Sequence, residues 1–247
     1  MTSLSIPPQT KKQVDLFCQN LNKEAEELLK TFFPKKIEEM QLMLTTSFIC
    51  KDLETLRVLL DIPMPDPAKE EAKRIKKEAE EKKEKKDKAA EEEDDGPPCG
   101  PICTNETVET LLKNTKSEIS ILKEKLNTVS SWMQLQVPTV EDGNNFGVAV
   151  QEKVFELLTN TRTKIEAFQT LLAKYSNERG DAVAKASKSP HVGDYRELVH
   201  QLDQTLYCEL RLIVLEIRNI YAVLFDIITK NYSKIKKPKG EGRAAIY

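Results

Sequence analysis

Two histidines, one tryptophan and 8 glycines are little for a chain of 247 residues. Each shortage excludes something. Sparse glycine and an aromatic content of 6% leave too few turn-formers and sheet-packing side chains for a β-rich fold. His191 and His200 have no nucleophile and acid at triad spacing, and HEXXH, P-loop and GxGxxG patterns are missing. Basic excess is missing as well. With 38 basic and 40 acidic residues, the formal net charge is -2, which does not suit a protein that neutralises phosphates. The most apolar stretch, residues 212–228, carries Glu216, Arg218 and Asp226, so it does not read as a membrane span. The opening MTSLSIPPQT has neither the apolar core nor the cleavage pattern of a secretory signal. These absences predict a non-enzyme of the cytoplasm, or of the nucleus, with no nucleic-acid or membrane partner.

Cysteines are few and scattered. Cys18 and Cys208 fall among apolar residues at helical spacing and read as small buried hydrophobes. Cys50 lies near the end of a weak helical stretch. Cys99 and Cys103 form C-G-P-I-C, one residue longer than a CxxC pair, with no second pair or histidine cluster to complete a zinc site. A reduced loop with no metal is the expectation. The segment from Asp142 to Gly147 resembles the start of a calcium loop. Phe146 at its fifth position and Lys153 at its twelfth remove the required oxygens.

What the sequence has is helical periodicity. After Pro7 and Pro8, which suit a helix start, apolar residues recur at Val14, Phe17, Cys18, Leu21, Ala25, Leu28, Leu29 and Phe32. Pro34 predicts a kink, after which Ile37, Met40 and Leu44 resume the stripe. Residues 45–60 read as irregular with a short helical turn, and IPMPDP at 62–67 closes the first unit. In residues 69–95 only Ala72, Ile75, Ala79, Ala89 and Ala90 are uncharged, so the segment reads as a solvated, disordered insert. GPPCGP at 96–101 is a turn-rich hinge.

A second helix is capped by Asn105 and carries Val108, Leu111, Leu112, Ile119, Leu122, Leu126, Val129 and Met133 on one face, with Trp132 beside the stripe. Pro138 stops it. The third helix places Val154, Leu157, Leu158, Ile165, Phe168, Leu172 and Tyr175 together and runs to about residue 187. Asp194 opens the fourth with a capping box closed by Glu197, followed by Tyr195, Leu198, Val199, Leu202 and Leu206. From Leu210 to Ile228 that helix is apolar almost all round, which exceeds what one bundle needs and predicts contact with a neighbouring subunit. Pro238 ends it. The tail PKGEGRAAIY finishes with Ile246, Tyr247 and a carboxylate, an end that a partner protein can capture.

Three stretches together resemble one family. EDGNNFGVAVQEKVFEL at 141–157 is similar to the activation loop and following helix of the 11S regulator (REG) family of proteasome activators. SPHVGDYRELVHQLD at 189–203 and RLIVLEIRNIYAVLFDIITKNY at 211–232 resemble its last helix. The DIPMPDP motif, the Lys/Glu insert, the GPPCGP hinge and the terminal Ile-Tyr look most like the alpha subunit of that family. The resemblance implies an all-α fold: an elongated four-helix bundle subunit that assembles into a heptameric ring. It implies a regulator with no catalytic residue, no metal and no cofactor, which caps the alpha ring of the proteasome core particle without ATP. It also implies a homo-oligomer or a ring mixed with the related beta subunit, and a part in producing antigenic peptides. The activation loop would be Glu141, Asp142, Gly143, Asn144, Asn145, Phe146 and Gly147, with Asn144 most closely tied to opening the gate. The core-docking tail would be Ala244, Ala245, Ile246 and Tyr247. The organisation expected is a first helical segment over 1–61, a charged insert over 62–103, and three helices over 104–247 bearing the loop at 138–147 and the tail at 238–247. A helical scaffold that uses the charged insert as its partner surface is the rival reading.

Overall fold

The structure is a computed structural model and describes residues 5–64, 71, 75, 101–139, 143 and 145–240. Most of the charged insert and the hinge with Cys99 lie outside these. The described elements are helical and contain no strand. Helix α1 (Pro8–Glu27) opens as the prolines require: Pro7 is extended and Pro8 occupies the first turn, where its missing N–H is no loss. A π turn over Leu28–Phe32 follows, in which Phe33 N donates to Leu28 O, five residues back. Helix α2 (Phe33–Thr46) continues with Pro34 in its first turn. The break expected at Pro34 thus takes the form of a widened turn. Proline cannot donate to Lys30 O, and the π turn carries the chain past that gap. A 3-10 turn, Leu53–Leu56, follows. The long helices are α3 (Glu106–Gln134), α4 (Phe146–Lys188) and α5 (Gly193–Lys230), and the short α6 (Tyr232–Lys236) resumes after a break at Asn231. Among the described residues no helix is long and apolar enough to cross a membrane.

The chain divides into two compact units. The first comprises Met1–Ile49, Leu111–Leu171 and Glu209–Tyr247. Its helices form a closed cycle. Lys36 of α2 pairs with Glu118 of α3 at 2.9 Å, and Lys123 of α3 donates to Gln169 of α4 at 3.2 Å. Lys164 of α4 pairs with Glu216 of α5 at 3.1 Å, and Arg218 of α5 returns to Gln41 of α2. At second contacts of the same pairs (Trp132 with Asn22, Arg162 with Asn127, Gln151 with Ile235 and Tyr232 with Glu26) one residue number rises as the other falls, so this is an up-down-up-down four-helix bundle. Its core holds Phe33, Ile119, Leu122, Met133, Ile165, Ile217, Tyr221 and Leu224, each under 2% exposed. Burial works against the charge of Lys36, yet hydrogen bonds to Glu39 and Glu118 outweigh it and raise its pKa.

The second unit comprises Cys50–Thr110 and Leu172–Cys208, and its centre is polar. Asp203 accepts from Arg179 Nε at 2.8 Å, Tyr175 OH at 2.7 Å and Asn105 Nδ2 at 3.1 Å. Asn105 also donates to Leu56 O at 2.8 Å, while its Oδ1 accepts from Val108 N at 3.3 Å. That last bond is the predicted cap of α3. Tyr207 OH accepts from Cys50 N at 3.0 Å, and Arg196 donates to Ile62 O at 3.0 Å, so both ends of the segment around the 3-10 turn are fastened.

All eight apolar positions predicted for α3 are buried, and Trp132 is too, at 1% exposure. The first helix departs from expectation. Val14 and Phe17 are 55% and 61% exposed, and Cys18 is half-buried. Asn22 already meets Gln136, two residues beyond the end of α3, so Val14 and Phe17 lie past that partner helix. Cys208 is exposed because Leu206, Tyr207 and Leu210 take the inward positions around it. Leu198 is 37% exposed. Helix α5 begins at Gly193, two residues ahead of the start a cap at Asp194 implies, and both oxygens of Glu197 accept from Arg57 at 2.7 and 2.9 Å. The carboxylate expected to close a capping box therefore serves an ion pair.

Candidate functional site

The predicted loop joins α3 to α4 in the first unit. A set of hydrogen bonds braces its foot. Trp132 Nε1 and Gln136 Nε2 both donate to Asn22 Oδ1, at 2.8 and 3.1 Å. Gln151, only 1% exposed, donates from Nε2 to Gln136 O at 3.1 Å and to Ile235 O at 2.7 Å. One amide thus ties the end of α3, the start of α4 and the end of α6. Beside it, Trp132 and Tyr232 stack with ring centroids 5.9 Å apart. Glu26 Oε1 accepts from Tyr232 OH and Lys236 Nζ, both at 2.7 Å. The Lys236 bond, helped by Tyr232 and Lys30, pulls the Glu26 carboxyl down to about 2. The same contact raises the Lys236 pKa.

Of the loop residues, the structure describes Gly143, Asn145, Phe146 and Gly147. Gly143 is exposed with φ 83°, a left-handed conformation that glycine adopts without strain. Asn145 O accepts from Ala149 N at 2.9 Å, so Asn145 is the residue from which α4 starts, as its residue type predicts. Phe146, the first residue of α4, is 70% exposed and stands over an apolar groove of about 400 Å³ shared with Val150, Val154, Leu157 and Ile227. Gly147 is buried. A Cβ there would lie 2.6 Å from the Cα of Pro238 and closer still to its carbonyl oxygen.

The chain leading into the predicted tail reaches the same place. Lys239 Nζ donates to Gly143 O at 2.9 Å and to Asn145 Oδ1 at 3.0 Å. Loop and tail root therefore meet at one end of the first unit. Glu141, Asp142, Asn144, Ala244, Ala245, Ile246 and Tyr247 lie outside the described residues. The periodicity reading missed Asn22, Gln151 and Lys239. Gln151 carried a faint signal, as a polar residue three positions before Val154 on the inward face. The assembled groups are amides, carbonyls, aromatic rings and ion pairs, which bind and position. Among the described residues no group of three or more His, Cys, Asp or Glu side chains is placed to hold a metal ion.

A closed cycle of long antiparallel helices with a braced interhelical loop defines an all-α bundle subunit. The family model described as "Proteasome activator PA28, N-terminal" matches residues 8–67, and "Proteasome activator PA28, C-terminal" matches residues 101–245. "Proteasome activator complex subunit 2" of Bos taurus is 48% identical over 242 residues, which cover 96% of this chain and 94% of the relative. "Proteasome activator complex subunit 3" of Gallus gallus is 35% identical over 252 residues, covering 99% and 98%. The crystal structure of the 11S subunit of the Plasmodium falciparum proteasome, PA28, superposes with a TM-score of 0.74 at 24% identity, over 97% of this chain and 99% of that one. The last likeness bears on fold alone. The chain belongs to the proteasome activator PA28 family.

Proposed function

We propose that this chain is an alpha-type subunit of a ring that caps the proteasome core particle and stimulates peptide hydrolysis without ATP. One observation carries the reading beyond family membership. The loop, through Gly143, Asn145 and Gly147, and the tail root, through Pro238 and Lys239, emerge together at one end of the first unit. A ring of such subunits presents both elements to a single surface. The alpha assignment rests on the DIPMPDP, Lys/Glu and GPPCGP segments and on the terminal Ile-Tyr.

The ring is supported by apolar side chains left uncovered in the lone first unit. Phe17 and Leu42 are each 61% exposed, Leu212 51% and Val223 44%, and neighbouring subunits, of this chain or of a beta relative, would cover them. One tail of four residues binds weakly because ordering it costs entropy. Several on one ring bind as a unit, with avidity of about 10²–10⁴ over a single tail. The tails then supply affinity, while the loops act through a preference for the open gate. We place the assembly in the cytoplasm or nucleus, where it would alter the supply of antigenic peptides.

The test is hydrolysis of a fluorogenic peptide by purified core particle, titrated with this chain, alongside a direct binding measurement. Stimulation by the intact chain is expected. Removing Ile246 and Tyr247 should abolish binding with the oligomer intact. Asn144→Tyr should bind, compete and fail to stimulate. An intact chain that binds the core without raising its activity would sink the proposal, and a tail-deleted chain that still binds would remove the anchoring role.

A further inference from the structure

The tail root is not merely near the loop; it is fastened to it at two points of different chemistry. At the first, the Lys239 ammonium bridges two oxygens, Gly143 O at 2.9 Å and Asn145 Oδ1 at 3.0 Å. An ammonium is a compact charge with three donors and no acceptor, suited to gathering oxygens from separate residues. The two it gathers belong to the residues on either side of Asn144 in the sequence. At the second point the contact is backbone against backbone. Gly147 sits against Pro238 so closely that a Cβ would meet the Pro238 carbonyl carbon at 2.7 Å. No flexible side chain lies between them to absorb a shift. Pro238 is buried and its ring fixes φ, so this part of the root is stiff. Immediately before it, Ile235 O is held by Gln151 of α4 and Lys236 by Glu26 of α1.

From these contacts we infer that residues 238–239 position the activation loop, with Lys239 as the positioning residue and Gly147 as the close-approach site that keeps the two segments in register. Tail and loop are then not independent modules. A core particle that captures the tail acts on a segment already bonded to both neighbours of Asn144. The segment that leads to the captured end is therefore also the one that sets where the loop lies. Mutations at the root should alter how well a bound ring stimulates, although the root itself is not the captured end.

This inference rests on the proposed function for its consequence, but its geometric core is tested without any core particle. In the free full-length protein, amide hydrogen exchange over 143–149 is compared between the natural chain, Lys239→Ala and Lys239→Arg. Loss of the two charge-assisted bonds, at a partly exposed site, should speed exchange about threefold to tenfold in Lys239→Ala, with Lys239→Arg restoring most of the protection. Unchanged exchange in Lys239→Ala overturns the inference. With core particle present, Lys239→Ala should keep its binding constant within about twofold and lose several-fold in stimulation at saturation, again with rescue by Lys239→Arg. A fall in binding that accounts for all the lost stimulation overturns it too, since Lys239 would then serve anchoring. Gly147→Ala should reproduce the low-stimulation behaviour. Should Gly147→Ala fail to fold, the two Lys239 variants decide the matter alone. If the natural chain does not stimulate at all, the function reading fails, while the exchange rates still decide whether Lys239 clamps the loop.

Discussion

In the unit that carries the loop, the interior is aromatic and aliphatic: Phe33 and Tyr221 meet with ring centroids 5.3 Å apart among residues such as Leu122 and Ile217. In the other unit the centre is a carboxylate. Asp203, 2% exposed, collects Arg179, Tyr175 and Asn105. The two interiors fail differently. Apolar packing tolerates exchange of one hydrocarbon for another of like volume and loses energy in proportion to the space left empty. A buried polar cluster loses most when one member goes, because the others stay desolvated without their partner. Burial and the Asp203 bond also raise the Tyr175 pKa, so its hydroxyl remains a donor throughout the physiological range.

The largest effect should come from the carboxylate. Asp203→Ala leaves the Arg179 guanidinium, 7% exposed, without its counter-charge, and should cost about 3–5 kcal/mol in urea unfolding. Adding Arg179→Met to Asp203→Leu should recover much of that loss, since an apolar pair of similar volume has no stranded charge. Recovery should be incomplete because Tyr175 loses its acceptor, whereas Asn105 keeps Leu56 O. A double variant as unstable as Asp203→Ala would show that the cluster acts through shape and not through charge.

Leu122→Ala tests the other interior and should cost about 2–5 kcal/mol, with Leu122→Met under about 1.5. Equal costs for the alanine and methionine variants would mean that this core is not governed by volume.

The smallest effect should be an acid titration at the loop's foot. The Glu26 carboxyl is held at about 2 against an ordinary 4.5, so its contribution is fully present above pH 4.5 and fades as pH falls towards 2. The thermal midpoint of Glu26→Gln should therefore sit slightly below that of the natural chain near neutrality and converge with it in acid. The side chain keeps 30% of its exposure, so solvent screening keeps the difference small. A gap that widens on acidification would contradict the sign.

Legibility in the sequence followed the same division. Helix α3 was readable from its apolar positions because all eight are buried, and from Leu111 to Met133 they face the closed interior of the first unit, where a period of three and four is what such a face leaves behind. Val14 and Phe17 misled, since the same period arises on a helix that outruns its partner in the unit. Asp203, Arg179 and Gln151 could not be found this way. Periodicity counts apolar residues, and a buried polar group is recognisable only once its partners, distant in sequence, are known. The loop and tail are legible through family resemblance, whereas the Lys239 bridge joins residues 94–96 positions apart, which no local pattern in the sequence relates.

The π turn has an angular consequence for the first helix pair. Buried residues run from Leu21 through Ala25, Leu29, Phe33, Lys36 and Met40 to Leu44, almost always four apart. In an unbroken α-helix each residue advances roughly 100°, so the 23 steps from Leu21 to Leu44 would end about 140° out of phase. Absorbing one residue at Leu28–Phe32 cuts that drift to about 40°, within the width of one apolar face. The widened turn thus works as a vernier, resetting the helix against its neighbours halfway along. Closing the turn into a regular α-helix with every residue kept would swing the Leu21 side of α1 out of the bundle, whereas deleting one residue there would leave the two flanks in phase.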